Sequence, residues 1–451
     1  MSPPRQLGIL GAGASGLSLA LLSGLDFELL EKKPRAGGHA SSTEVDGWVF
    51  DEGPHIMFSR EQLLLQCLVS SLGRNIHLSR RNNRVALSGA MARYPIENDL
   101  AALPPDLRSD CLIDMVRARE RPRETANLAE WFEANFGEAL TASYFRPYNE
   151  KLWKTPLESL SMTWADRIPQ PPLEDVIRGA LGEVSEGYLH QLHYSYPLRG
   201  GFSAIMDAWA GGIPEGRLAL GVEVTGLRRE AEGVRAATSQ GERLFERVVS
   251  TIPLSRLADL MEDVPDHVAN AVARLRVNPI ITTTIGFAGE DPNQYTAVYI
   301  PDPDYLVNRV SFPAVFSPHN APPGCFSVQA EITCAPGSEV LVAGDDFIST
   351  HVLDGLRART LVPENATPIF TSVQRFDQGY VVYTNGYEED LRAATDWFES
   401  QGVILHGRFG SHDYLNVDGC LRRSIDLARK LGTSVGDEDV LQRFQALATD
   451  S

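Results

Sequence analysis

At 451 residues and 43% hydrophobic composition, the chain has material for one large core or two to three smaller ones. Its formal net charge of −18 opposes nucleic acid and anionic membranes as partners, so an anionic ligand would have to be caught by a few local arginines in a cleft. Five cysteines (Cys67, Cys111, Cys325, Cys334, Cys420) form no CxxC pair and no metal spacing, Met1–Gln6 has only Arg5 as a basic residue, and no apolar run approaches membrane-spanning length; these features point to reduced thiols, no bound metal and a cytoplasmic protein.

The N-terminal motif organises the chain. Leu7–Leu10 reads as a strand, Gly11, Gly13 and Gly16 as a tight turn, Leu17–Leu22 as an apolar helix, and Phe27–Leu30 as a second strand ending on Glu31. The first glycine allows the sharp turn, the second lets the backbone approach a pyrophosphate, and the third lets helix and strand pack closely; the phosphates then sit on the helix N-terminus. Glu31, about twenty residues after Gly11, is placed to accept hydrogen bonds from a ribose. A second glycine pair, Gly37 and Gly38, follows Lys32, Lys33 and Arg35 and precedes His39. Backbone amides and a charge there would meet the same phosphates from the other side, which favours FAD over NAD.

Thr43–Phe50 alternates like a strand and leads into Asp51-Glu52-Gly53-Pro54-His55-Ile56-Met57-Phe58-Ser59, an irregular loop suited to lie against a flavin ring. Glu61–Leu72 reads as helix, and Arg84–Leu87 with Met91–Tyr94 as a hairpin across Ser88-Gly89-Ala90. Helical periodicity holds over Pro105–Arg119 and Leu128–Phe136. The run Tyr144–Trp153 gathers aromatic, amide and basic groups that could stack a base or cap a core. Trp164–Pro169, ended by Pro169, Pro171 and Pro172, is a candidate lid carrying Arg167. Tyr196–Phe202 gives another glycine turn before a helix. Leu218–Leu227, Gly233–Thr238 and Glu246–Ser250 read as strands returning to the nucleotide domain, and Ile280–Phe287, Ala297–Ile300, Asn308–Phe312 and Phe326–Thr333 as a separate sheet. Arg375–Tyr380 and Gly407–Ser411 precede a final helix, roughly Gly419–Leu431.

Taken in order, Gly53–Ser59, Tyr94-Pro95-Ile96-Glu97-Asn98, Arg146–Trp153, Arg167, Arg199-Gly200-Gly201, Arg375–Tyr380 and Gly407–Ser411 resemble the UDP-galactopyranose mutases, closest to their eukaryotic-type branch, as far as about Lys430. That family lies within the FAD-dependent amine oxidase and protoporphyrinogen oxidase superfamily. The resemblance implies a mutase that interconverts the pyranose and furanose forms of an NDP-hexose by N5 attack of reduced FAD on the anomeric carbon, without net redox, and with NAD(P)H as the outside reductant. It implies cofactor contacts from Gly11, Gly13, Ala14, Ser15, Gly16, Glu31, Lys32, Gly38, His39, Pro54, His55, Val224, Arg408, Tyr414 and Asn416. For the substrate it implies Tyr94, Ile96, Glu97, Asn98, Tyr148, Asn149 and Trp153, together with a pyrophosphate clamp of Arg167, Tyr299, Arg309, Tyr380, Arg408 and Tyr414. Arginine forks pair with phosphate oxygens, and tyrosine hydroxyls donate without adding charge. His55, Arg167 and Arg309 are the catalytic candidates.

Two positions depart from the family pattern. Pro54 stands where a small residue is common before the histidine; it fixes φ and has no amide hydrogen. Glu97 stands where the eukaryotic-type enzymes place a glutamine near uracil; a carboxylate only accepts, and guanine offers adjacent donors, so a GDP-sugar is an alternative to a UDP-sugar. The rival reading is an FAD-dependent oxidase of the amine oxidase or protoporphyrinogen oxidase type, which needs an apolar cage and leaves Arg167, Arg309 and Arg408 without a task.

The implied architecture is α/β: a Rossmann-like FAD-binding domain assembled from residues 1–90, 193–265 and 386–451, a helical substrate and lid domain over 91–192, and a twisted antiparallel sheet over 266–385. A homo-oligomer stays open.

Overall fold

A computed structural model describes residues 4–168, 170–183 and 192–448. Strand β1 (Arg5–Leu10), helix α1 (Ala14–Leu22) and strand β2 (Phe27–Glu31) form the opening unit. Every residue of β2 is buried, as a strand covered on both faces requires. Helix α1 is buried nearly all round because the sheet lies on one side and helix Val417–Lys430 on the other.

The first sheet has seven strands. Its path runs Val224–Glu230, Gly233–Thr238, Gly241–Ser250, β1, β2 and Leu218–Leu220. Gly241–Ser250 serves two partners in succession: its first half is antiparallel to Gly233–Thr238 and its second half parallel to β1. Val403–Leu405 joins the far side of that second half. The strand expected over Leu218–Leu227 is broken in two, because Gly221 takes φ 70° and the Val222 N–H turns back onto the Glu31 carbonyl.

The second sheet runs Pro368–Val381, Val277–Ala288, Cys325–Thr333, Arg309–Ser311, Ala297–Tyr299, Asn83–Leu87 and Ala90–Arg93. All neighbours are antiparallel except Ala297–Tyr299 with Asn83–Leu87, so the sheet expected as antiparallel is mixed. The boundary drawn at residue 90 cuts the Asn83–Arg93 hairpin, both strands of which belong to this second sheet.

One face of that sheet carries the helical layer, Pro105–Glu120, Leu128–Phe136, Arg146–Trp153 and Leu173–Ala180. Val85, Ile280 and Tyr380 enter the core it shares with Phe132, Phe136 and Phe145. The other face is closed by helix Asp345–Ala358, through Ile348, Val352 and Leu356. The segment expected as a lid loop is a 3-10 turn over Met162–Arg167, and residue 169 lies outside the described residues. The helix expected over Gly419–Leu431 runs Val417–Lys430 and is followed by another, Asp437–Gln445. Among the described residues no helix is long and apolar enough to cross a membrane.

Candidate functional site

A cavity of about 560 Å³ opens between the two sheets, walled by the loops that leave β1, β2 and the edges of the second sheet. At one end lies the glycine turn. Gly11 has φ 95°, a conformation that L side chains rarely adopt, and a Cβ on Gly16 would collide with the Gly11 carbonyl. Helix α1 starts at Gly13 with no side-chain cap and no acid in its first turn, which leaves its N-terminal amides and positive dipole end open to an anion. The second glycine pair meets the first: Gly37 N–H donates to Ala12 O at 2.8 Å, and a Cβ on Gly38 would lie 3.1 Å from Gly13 Cα. Glu31 is fixed by two backbone amides, Oε2 accepting from Ala12 at 2.8 Å and Oε1 from Lys33 at 2.9 Å, and each oxygen keeps a further lone pair. Ala14, Ser15, Lys32, Val224 and Asn416 line the same end, while Gly16 lies behind it as the helix–strand contact.

The middle of the wall is the loop Gly53-Pro54-His55-Ile56, with Phe202 and His39. The His55 and Phe202 rings are 5.0 Å apart. Burial, aided by the Arg408 and Arg309 charges, pushes His55 down to about 4, and burial with Arg408 pushes His39 down to about 3. Both imidazoles are therefore neutral at pH 7.

The far end carries Tyr299, Arg309, Tyr380, Arg408 and Tyr414, brought from four distant segments. Arg408 donates from Nη1 to Leu415 O at 3.1 Å and from Nη2 to Gly379 O at 2.9 Å. Its guanidinium lies 4.3 Å from the Tyr414 ring and 5.7 Å from that of Tyr380, two rings within 7° of parallel. Among the described residues no carboxylate pairs with Arg408.

Arg309 differs. Its Nη2 donates to Glu331 Oε2 at 2.7 Å; Tyr380 OH and Asn308 Nδ2 donate to Oε1 at 2.7 and 2.8 Å. Burial alone would raise the Glu331 carboxyl, but the Arg309 charge and the hydrogen bonds from Tyr380, Asn308 and Arg309 together outweigh it and hold the group below the ordinary range. Glu331 also lines the cavity, and sequence reasoning misses it. The available signal is an acid in the buried strand Cys325–Thr333. Tyr380 also lines the cavity, with its one hydroxyl proton directed to Glu331.

The remaining candidates stand off the wall. Tyr94 and Tyr148 meet Tyr299 at ring distances of 5.0 and 5.7 Å, and Trp153 meets Tyr380 and Tyr414 edge-on at 5.8 and 6.2 Å. Asn149 is committed within its helix, accepting from Trp153 Nε1 at 3.1 Å and donating to Phe145 O at 2.7 Å. Ile96, Glu97 and Asn98 are buried in a 3-10 turn. Burial raises the Glu97 carboxyl to about 7, against a weaker pull from Arg119. Arg167 lies 3.6 Å from Asp413 and 5.3 Å from the Tyr414 ring, beside the wall rather than on it.

Residues 14–429 match the family model described as flavin containing amine oxidoreductase. Among solved structures the chain is similar to a reduced UDP-galactopyranose mutase, with 22% identity and a TM-score of 0.88 over 98% of this chain and 99% of that one. It is similar to an Exiguobacterium sp. 255-15 protein assigned as a protoporphyrinogen oxidase (18%, 0.75, 95% and 98%). It is also similar to putrescine oxidase bound to putrescine (14%, 0.66, 95% and 99%). At these identities the likeness is one of fold.

Proposed function

The chain belongs to the flavin containing amine oxidoreductase family, and within it we propose a nucleotide-sugar mutase that interconverts the pyranose and furanose forms of an NDP-hexose. FAD fits the cavity: in the interlocked glycine turns a Cβ on Gly11, Gly16 or Gly37 would collide with neighbouring atoms, an uncapped helix start faces the phosphate end, and Glu31 is fixed for a ribose. Asn83 Oδ1, Gln378 Oε1, Arg309 Nε and Arg408 Nε are buried without hydrogen-bond partners among the described residues, and all four side chains line the cavity. Reduced FAD, when bound, supplies a nucleophilic N5 for the anomeric carbon, with NAD(P)H as the proposed source of its electrons.

The observation that carries the reading is Arg408. It is a cation without a carboxylate, clamped by two backbone carbonyls and two tyrosine rings, which a diphosphate leaving group would use. Tyr299 and Tyr414 would donate beside it, and Arg309 would offer its Nε and Nη1 edge while Glu331 holds Nη2. Arg167 would reach the diphosphate from the Tyr414 side. His55, neutral at pH 7, would present a ring face without charge, and the tyrosine and tryptophan layer behind Tyr299 and Tyr380 would exclude water. The fold likeness to UDP-galactopyranose mutase supports the reading at the level of fold.

The oxidase reading draws on Glu331, a wall carboxylate that could attract an ammonium group, but Arg309 already neutralises it. The test is anaerobic: the flavoprotein is reduced with dithionite and incubated with UDP- and GDP-hexoses, and furanose product is sought by chromatography. Product formed by the reduced enzyme alone is the expected result. No product, with oxygen consumed on an amine by the aerobic enzyme, would move the assignment to an oxidase.

A further inference from the structure

Asp51 closes the strand Trp48–Asp51 and is 3% exposed, with no ion pair among the described residues. Its carboxylate collects donors from separate parts of the chain. Oδ1 accepts from Ser42 Oγ at 2.7 Å, Tyr196 OH at 2.9 Å and Phe202 N–H at 3.1 Å; Tyr196 OH also lies 3.1 Å from Oδ2. The His55 backbone amide is a further, weaker favourable influence on that carboxylate. The Asp51 carbonyl in turn accepts from Gln329 Nε2 at 2.8 Å, in the second sheet.

Asp51 does not line the cavity, whereas Glu52, Gly53, Pro54, His55 and Phe202 do. Of the two rings in contact on that wall, Phe202 is held at its backbone amide by the Asp51 carboxylate, and His55 packs against it four residues along the chain from Asp51. The surroundings leave little slack. Ser42 and Ser203 exchange backbone-to-hydroxyl hydrogen bonds at 2.6 and 2.9 Å, and a Cβ on Gly201 would strike the Ser42 side chain.

We propose that Asp51 is a positioning residue of the flavin site: through the Phe202 amide and the Tyr196 and Ser42 hydroxyls its ionised carboxylate sets the wall, Phe202 with His55 against it, on which the flavin ring rests. Protonation removes one acceptor site and the negative charge, which weakens the hydrogen bonds from Ser42, Tyr196 and the Phe202 amide. Burial raises Asp51 to about 6 against the pull of its donors, so this change falls within an accessible pH range. Tyr196, raised well above 10, and His55, at about 4, do not titrate between pH 5 and 8. Glu52, the next residue, is raised by burial and paired with Lys33 and Arg35, each at 3.5 Å; substitution of Asp51 separates the two carboxyls.

The inference requires a bound flavin and is independent of the mutase assignment, so its readout is the cofactor spectrum rather than turnover. The visible spectrum of the purified holoenzyme is recorded from pH 5 to 8 for wild type, Asp51→Asn and Tyr196→Phe. Wild type should titrate with a midpoint near pH 6. Asp51→Asn should retain FAD and show no titration. Tyr196→Phe removes a donor from the carboxylate and should move the midpoint upward by about half a pH unit or more; this variant carries the test alone if Asp51→Asn does not fold. A wild-type spectrum without pH dependence, an unchanged midpoint in Tyr196→Phe, or a titration that persists in Asp51→Asn would overturn the proposal.

Discussion

Arg408 and Arg309 look alike in sequence and differ in charge balance. The first meets only carbonyls and rings; the second is matched by Glu331. Removing Arg408 therefore takes away a free cation and leaves no buried charge behind. Arg408→Ala should weaken nucleoside diphosphate binding by about 1.5–3 kcal/mol, roughly 10- to 150-fold, with Arg408→Lys between the two because it keeps the charge and loses the fork. Calorimetric titration of UDP and GDP into the oxidised holoenzyme would measure it, and an Arg408→Ala protein with wild-type affinity would remove the diphosphate assignment. Glu97 gives a second prediction at this scale. With its carboxyl raised to about 7, it offers a donor and an acceptor in mildly acid solution and acceptors alone in alkaline solution. If the base is read there, uracil affinity should fall and guanine affinity rise between pH 6 and 8, and Glu97→Gln should flatten both trends. Parallel pH profiles for the two nucleotides in wild type would count against Glu97 as the reader.

Individual elements depend on similarly local facts. Gly16→Ala would drive a methyl into the Gly11 carbonyl and push the start of α1 off β1. The expected cost is about 1–3 kcal/mol of stability, together with loss of bound FAD. Thermal melts and the flavin-to-protein absorbance ratio would report both, and a yellow variant of wild-type stability would refute the close-packing argument. The same locality explains which elements can be read from the sequence. Helix Leu128–Phe136 has the bounds its pattern predicts, because Asn127 accepts from the Glu130 amide at one end and Gly137 takes φ 81° at the other. The Asn83–Arg93 hairpin is legible from its Ser88-Gly89 turn, where both residues take positive φ. Helix Asp345–Ala358 escapes the sequence reading although Ile348, Val352 and Leu356 recur at helical spacing. Glu331 is not readable as a partner of Arg309: the two face each other only through the register of neighbouring strands, which no local pattern specifies. For the same reason the sequence shows which arginines are candidates but not which one is left uncompensated.

At the scale of the whole molecule, buried titratable groups set the response to pH. His39 is pushed down to about 3, and His55, His406 and His412 to about 4, mainly by burial. Each is neutral when folded and protonates near pH 6.5 when unfolded, so its contribution is complete above that value and is lost as pH falls toward its folded pKa. Asp51 at about 6 and Glu97 at about 7 act in the opposite sense, contributing at low pH and losing that contribution as pH rises through those values. Between pH 5 and 6 the histidines dominate, and the unfolded chain binds about two more protons than the folded one through these six groups. Stability should therefore rise by roughly 2–3 kcal/mol across that interval. Holoenzyme melts at constant ionic strength would test the sign, and a melting temperature that falls from pH 5 to 6 would contradict it.

The shared strand Gly241–Ser250 also bears on synthesis. Strand β1 leaves the ribosome well before its partner at residues 245–250, and Val403–Leu405 must then arrive on that partner's far side. At 5–20 residues per second, roughly 12–50 seconds separate β1 from that partner. Until then the glycine turn has an open sheet edge beside it, and the Arg408 side of the cavity is still unmade. A nascent chain can therefore complete the cofactor cradle only after the Arg408–Asn416 segment has emerged, so flavin capture would mark a chain whose synthesis has passed that segment.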